Sequence, residues 1–149
     1  LPRSKVLPVR VASLTTQKTT SPSNEFTLLP VLLIDNEKLM LKALQSQLNE
    51  WGCDVMAVKD EKSLVVAIEK QSFKPALIIS DYHLDDDKNG VDLVQQALAN
   101  YHWQAPCIIC SADPSEQVRE HTNSANFSFM RKPIKALALK KLMRQLLSL

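Results

Sequence analysis

Five short apolar runs alternate with segments of helical periodicity from residue 28 onward, and this alternation limits the fold more than any other feature. The runs are Leu28–Ile34, Cys53–Val58, Ala76–Ser80, Cys107–Cys110 and Phe127–Met130. Each is short and nearly continuous in apolar residues, as expected of strands covered on both faces in a parallel sheet. Between the first two, Met40, Leu41, Leu44, Leu48 and Trp51 recur at helical spacing, and Gly52 is placed to stop that helix in a left-handed conformation. Asp60 can cap the next helix, with Leu64, Val65 and Ile68 on its apolar side. A third helix follows Gly90 and carries Val91, Val94, Ala97 and Leu98. A short polar helix begins at Pro114. The last runs from Ile134, with Leu137, Ala138, Leu142, Leu146 and Leu149 among its apolar positions. Strands and helices in this alternation predict an α/β domain: a parallel sheet, right-handed crossovers and helices on both faces.

In open α/β sheets the chemistry collects outside the carboxyl ends of the strands. Here the first run ends at Asp35-Asn36-Glu37, the third at Asp81, the fourth at Ser111, and the fifth leads into Lys132-Pro133. If the first, third and fourth strands are neighbours, these groups converge on one crevice. Asp35, Glu37 and Asp81 would repel one another there, since two unit charges about 4 Å apart cost about 4 kcal/mol at an effective dielectric near 20. A hard divalent cation relieves this. Mg²⁺ takes oxygen ligands and keeps several waters, which suits a few protein ligands plus a phosphate. One carboxylate could then attack a phosphoryl group, with Lys132 and the Ser111 hydroxyl binding its oxygens. The chain's two glycines, Gly52 and Gly90, exclude the phosphate-binding loop and the dinucleotide fingerprint.

Charge and composition exclude other classes. The net charge is +2, but residues 1–27 hold Arg3, Lys5, Arg10 and Lys18 against Glu25 alone, which leaves the remainder at −1. A near-neutral body without a basic stripe argues against direct nucleic-acid binding. No apolar stretch is long enough to span a membrane, and no secretory signal is visible. Three cysteines, Cys53, Cys107 and Cys110, do not form a disulfide framework and suit a reducing cytosol. Cys107 and Cys110 have redox-motif spacing but sit within an apolar strand, where positions i and i+3 face opposite sides. They read as buried structural residues. His102 and His121 read as surface residues without zinc-ligand spacing. Asp85-Asp86-Asp87 reads as a solvated acidic run and not a Ca²⁺ loop. The last helix is apolar beyond a single stripe, counting Leu139, Met143 and Leu147, which suggests a partner surface.

Taken together, Leu32-Leu33-Ile34-Asp35-Asn36-Glu37, Ile79-Ser80-Asp81, Ser111-Ala112 and Lys132-Pro133 resemble the receiver (response regulator) family of two-component signalling over about residues 29–149. The resemblance implies a flavodoxin-like five-stranded parallel sheet of order 2-1-3-4-5. It implies that Asp81 takes a phosphoryl group from a histidine kinase or a histidine phosphotransfer domain, in a Mg²⁺-dependent reaction. Asp35 would hold the Mg²⁺ through water. Asn36 stands where the family usually has a second, directly ligating Asp, so the site has one charge less, and Glu37 is a candidate to compensate. The backbone carbonyl of His83 would be a further ligand, beside Asp81 itself. Ser111 and Lys132 would bind the phosphoryl group, the Lys132–Pro133 bond would be cis, and Ser111 and Phe129 would form the switch. Tyr82 and His83 could tune hydrolysis of the acyl phosphate. The segment Leu84–Gly90 departs from the family: it lacks the usual Met-Pro pair and is acidic.

The expected organisation is a linker, or the tail of a preceding domain, over residues 1–27, and a receiver over residues 28–149. The linker holds a candidate short strand at Val6–Ala12 and a Ser/Thr tether at Thr15–Ser23. A chain that begins with Leu reads as an excised fragment. A basic linker followed by a receiver that closes the chain resembles the C-terminal receiver of a bacterial hybrid histidine kinase. The domain is expected to be cytoplasmic, to act as a phosphorylated switch and not as an enzyme in its own right, and to form a homodimer through its last helices. The alternative is a receiver-like interaction module that is never phosphorylated, which Asn36 favours. A hydrolase using Asp81 as nucleophile would need a second Asp where His83 stands.

Overall fold

The computed structural model describes residues 25–113 and 115–148. In chain order the elements are β1 (Pro30–Ile34), α1 (Lys38–Glu50), β2 (Asp54–Val58), α2 (Glu61–Lys70) and β3 (Leu77–Asp81), then α3 (Gly90–Tyr101), β4 (Cys107–Ser111), α4 (Glu116–Ser124), β5 (Ser128–Arg131) and α5 (Ala136–Leu147). The five strands form one sheet of order β2-β1-β3-β4-β5, parallel at every seam. This is the flavodoxin-like topology that the family resemblance implied. The central strand β3 pairs Ile79 with Leu33 on one side and with Ile108 on the other. Every residue of β3 and β4 is buried, which explains why these runs are apolar without interruption.

Successive strand residues point to opposite faces, so each strand supplies two cores. Leu32, Ile34, Ile78, Ile109 and Cys107 pack beneath α2, α3 and α4. Val31, Leu33, Leu77, Ile79, Ile108 and Cys110 pack beneath α1 and α5. The two cysteines of the redox-like spacing thus lie in different cores. Burial holds the Cys107 thiol well above its usual range and pushes the Cys110 thiol up to about 12, so both stay protonated. Local signals set the helix ends. The Asp60 side chain accepts from Ser63 N–H at 2.8 Å, while Ser63 Oγ accepts from Asp60 N–H at 3.1 Å. These reciprocal bonds satisfy donors that a helix start leaves free. Gly52 follows α1 at φ +91°, in the region that favours glycine.

Several expectations shift. The folded unit starts before the expected boundary at residue 28. Phe26 is fully buried against Trp51, with ring centroids 6.0 Å apart. The Glu25 carboxylate accepts a fork from Arg144 of α5, Nη2 at 2.6 Å and Nε at 2.9 Å to Oε1. That fork holds the Glu25 carboxyl below its usual range. The expected Val6–Ala12 strand and Thr15–Ser23 tether lie outside the described residues, as do Pro114 and Leu149. Helix α5 begins at Ala136 and not at Ile134, and it buries Leu139 and Met143 with Leu142 and Leu146 half-buried. Those four are spaced i, i+3, i+4, i+7, one helical face. Leu137, expected on the apolar side, is 84% exposed. On α2, Leu64 is buried while Val65 and Val66 are exposed.

Candidate functional site

Strand order alone gathers the site. Asp35 directly follows β1, Asp81 ends β3, Ser111 ends β4 and Lys132 follows β5. Because β3 lies between β1 and β4, Asp81 stands between Asp35 and Ser111 at the carboxyl edge of the sheet. Three of these side chains are buried polar groups, Asp35 at 2%, Asp81 at 9% and Ser111 at 1% exposure. Lys132 joins two of them. Its Nζ lies 3.3 Å from Asp35 Oδ2 and 3.4 Å from Asp81 Oδ1. Its backbone N–H donates to the Ser111 carbonyl at 3.0 Å, and the Lys132–Pro133 bond is cis.

Burial raises the Asp81 carboxyl above its usual range, and the nearby Asp35 adds to this, against the pull of Lys132. Burial alone would lower the Lys132 ammonium, but Asp81 and Asp35 together hold it above the usual lysine range. Two carboxylates sharing one ammonium leave the crevice with a net charge of −1. A half-neutralised pair of hard oxygen donors suits a divalent cation in charge and chemistry. Asp35 Oδ1 also accepts from the Glu37 N–H at 2.8 Å, which fixes the carboxylate against the start of α1. The Ser111 hydroxyl oxygen accepts from Asp113 N–H at 3.0 Å, so its own proton is left to donate.

The other expected ligands are arranged differently from one another. Asn36 does not stand alone: its Nδ2 donates to Asp85 Oδ1 at 2.8 Å, across 49 residues of sequence. Glu37 is exposed at the N-cap of α1, where its side chain caps nothing. His83 and Asn89 face each other in an antiparallel bridge. The bonds of that bridge run from Leu84 N–H to the Lys88 carbonyl at 2.9 Å and from Gly90 N–H to the Tyr82 carbonyl at 2.7 Å. This leaves the His83 carbonyl outside the ladder. Phe129, the expected switch aromatic, is half-buried in β5 with the Arg119 guanidinium 5.1 Å from its ring centroid.

Four contacts around Asp81 could not be read from the chain. His83 Nε2 lies 3.1 Å from Asp113 Oδ2, linking the loops after β3 and β4. Tyr82 Oη lies 2.8 Å from His121 Nδ1, and His121 Nε2 lies 3.1 Å from Asp92 Oδ1. His121, expected at the surface, is half-buried and links Tyr82, just past β3, through α4 to Asp92 of α3. His102 is exposed, as expected, in a left-handed conformation after α3. The fourth contact is that of Asn36 with Asp85. The clustering of polar residues after strand ends points to Asn36, His83, Asp85 and Asp113 but not to their pairing, and it does not reach Asp92 and His121, which lie within α3 and α4.

The response regulator receiver domain model matches residues 31–144. The chain belongs to this family. Phosphoryl transfer in two-component signalling is the family's general function, with histidine kinases or phosphotransfer proteins as general partners and Mg²⁺ as the general requirement. The phyllosphere-induced regulator PhyR of Methylorubrum extorquens is 30% identical over 84 residues, covering 56% of this chain and 31% of that protein. The chain thus spans under a third of this relative. Among solved structures, Vibrio cholerae chemotaxis protein CheY4 superposes with a TM-score of 0.69 at 17% identity, over 80% of this chain and 99% of that one. The signal receiver domain of an HD domain-containing protein from Pseudomonas fluorescens Pf-5 gives 0.69 at 20% identity, over 91% and 93%. These likenesses show the receiver fold. Among the described residues of this receiver, no helix is long and apolar enough to cross a membrane.

Proposed function

We propose that Asp81 is the phosphoacceptor of this receiver, and that its phosphorylation switches the domain. The observation that carries the reading is the position of Asp81 between Asp35 and Ser111, with Lys132 Nζ within 3.4 Å of both carboxylates. A carboxylate oxygen of Asp81 forms the new O–P bond as the N–P bond of a donor phosphohistidine breaks, and the electron pair returns to the donor imidazole. Lys132 turns from two carboxylates to the incoming phosphoryl oxygens, where its charge has most to neutralise. The Ser111 hydroxyl, with its proton free, donates to the same group. Asp35, the amide oxygen of Asn36, the His83 carbonyl and Asp81 would hold Mg²⁺, which supplies charge neutralisation between attacking and transferred oxygens. Glu37, exposed and turned to no partner in the crevice, has the weakest claim to a place in that set.

Phosphorylation then biases an existing equilibrium. Ser111 moves toward the phosphoryl group, and Phe129 follows inward. In this role the domain assists its own phosphorylation and dephosphorylation and is not an enzyme acting on other substrates. The basic segment ahead of the receiver supports placement behind a kinase core in a hybrid histidine kinase.

The test is incubation of the full chain with Mg²⁺ and acetyl phosphate, read by intact mass. One added phosphoryl group is expected, absent in Asp81→Asn. If a cognate phosphodonor also fails to modify the wild-type chain, the domain is the unphosphorylated interaction module instead.

A further inference from the structure

We infer that Asp85 is a positioning residue for the cation site, which compensates for Asn36 by fixing the orientation of its amide. The inference rests on the proposed roles of Asp35 and Asp81. An Asn at a cation site has an ambiguity that an Asp lacks. One end of its amide accepts and the other only donates. A cation binds the oxygen and repels the NH₂, and an isolated amide can present either.

Here the ambiguity is removed. The Asp85 carboxylate can only accept, and its Oδ1 lies 2.8 Å from Asn36 Nδ2. A flipped amide would set oxygen against a carboxylate, so the NH₂ is committed to Asp85 and the oxygen is the atom left for a cation.

Asp85 is delivered to this place by an unusual loop. Leu84 is buried at 8% exposure and anchors the segment. Leu84 N–H donates to the Lys88 carbonyl at 2.9 Å, and Lys88 N–H donates back to the Asp85 carbonyl at 3.3 Å. Asp86 and Asp87 both take left-handed conformations, at φ 61° and 57°, which closes the turn within a few residues. Asp tolerates that region better than most residues, through local hydrogen bonding of its short side chain. The acidic run thus has a structural reason at Asp86 and Asp87, and a separate task at Asp85.

Hydrogen-bond partners that orient metal ligands change affinity by about 10–100-fold when removed. The exposed position of this pair places it at the lower end. The experiment is a Mg²⁺ titration of the full chain without phosphodonor, by calorimetry, on wild type, Asp85→Ala, Asn36→Asp and the double variant, with folding checked by circular dichroism. Asp85→Ala is expected to weaken Mg²⁺ binding about 10-fold in the wild-type background. In the Asn36→Asp background, where no amide needs orienting, the same change is expected to cost nothing. Wild-type affinity in Asp85→Ala overturns the inference, as does an equal loss in both backgrounds, which would reduce Asp85 to a bystander charge. A wild-type chain that binds no Mg²⁺ overturns it also. A chain that shows the expected cycle yet takes no phosphoryl group overturns the phosphoacceptor reading and leaves the role of Asp85 standing.

Discussion

The phenol oxygen of Tyr82 lies 2.8 Å from Nδ1 of His121, and so ties α4 to the residue next to Asp81. A neutral imidazole satisfies both neighbours in one tautomer: Nδ1 accepts from the phenol and Nε2–H donates to Asp92, 3.1 Å away. Burial, with Asp92 and Asp113 nearby, raises the Tyr82 phenol above its usual range, which keeps it a donor. Tyr82→Phe keeps the ring and removes the bond. It is expected to lower stability by about 1 kcal/mol, measured by urea unfolding. No loss would show that the bond exchanges freely with water.

Gly90 is held by space and not by its backbone angles. A Cβ there would lie 2.1 Å from the Asp81 carbonyl oxygen and 2.5 Å from Ser80 Oγ. The first contact is main chain, so the end of β3 must move. Gly90→Ala is expected to destabilise the fold by about 1–3 kcal/mol or more, and to depress phosphoryl uptake at Asp81 in the acetyl phosphate assay. A variant with wild-type stability and uptake would refute this packing.

Ionised Asp81 costs the fold stability. Its carboxyl is raised in the folded chain, chiefly by burial. A group raised on folding contributes stability that is present below its unfolded value, near 3.9, and lost as pH rises through the folded value. Asp81→Asn removes the ionisation while Lys132 keeps Asp35 as a partner. The stability gain of Asp81→Asn over wild type is therefore expected to grow from acid to neutral pH. Urea midpoints compared across that range decide the matter, and parallel curves would contradict it.

The packed N-terminal turn gives a further prediction. Phe26 is fully buried against Trp51, in the core that also holds Leu139 and Met143 of α5. Phe26→Ala is expected to cost about 3–5 kcal/mol. Likewise, a chain started at Leu28 should unfold at lower urea than one started at Glu25. Equal midpoints would return Glu25 and Phe26 to the linker.

Sequence patterns that repeat locally translated well into structure. The five apolar runs became the five strands, because strands buried on both faces tolerate few polar residues. Asp60 and Gly52 marked helix ends because a cap and a left-handed turn need particular residues at particular places. The phase of α5 was less legible: Leu137, Leu139, Leu142, Met143 and Leu146 overfill one face, and only the direction of the sheet chooses among them. The packing of Phe26 was missed because a single aromatic before a strand carries no periodicity.

By itself the sequence determined which residues stand at or just past the strand ends: Asp35, Asp81, Ser111 and Lys132 each come after an apolar run that must stop at the sheet edge. With the family resemblance it also gave their spatial order. Only the tertiary structure decided which side chains meet, joining Asn36 to Asp85, Tyr82 to His121, and Lys132 to both carboxylates. The reason is physical. Strand ends are set by local hydrophobicity, whereas pairs between loops depend on how separate connections close over the sheet, and nothing in either loop's own sequence records its partner.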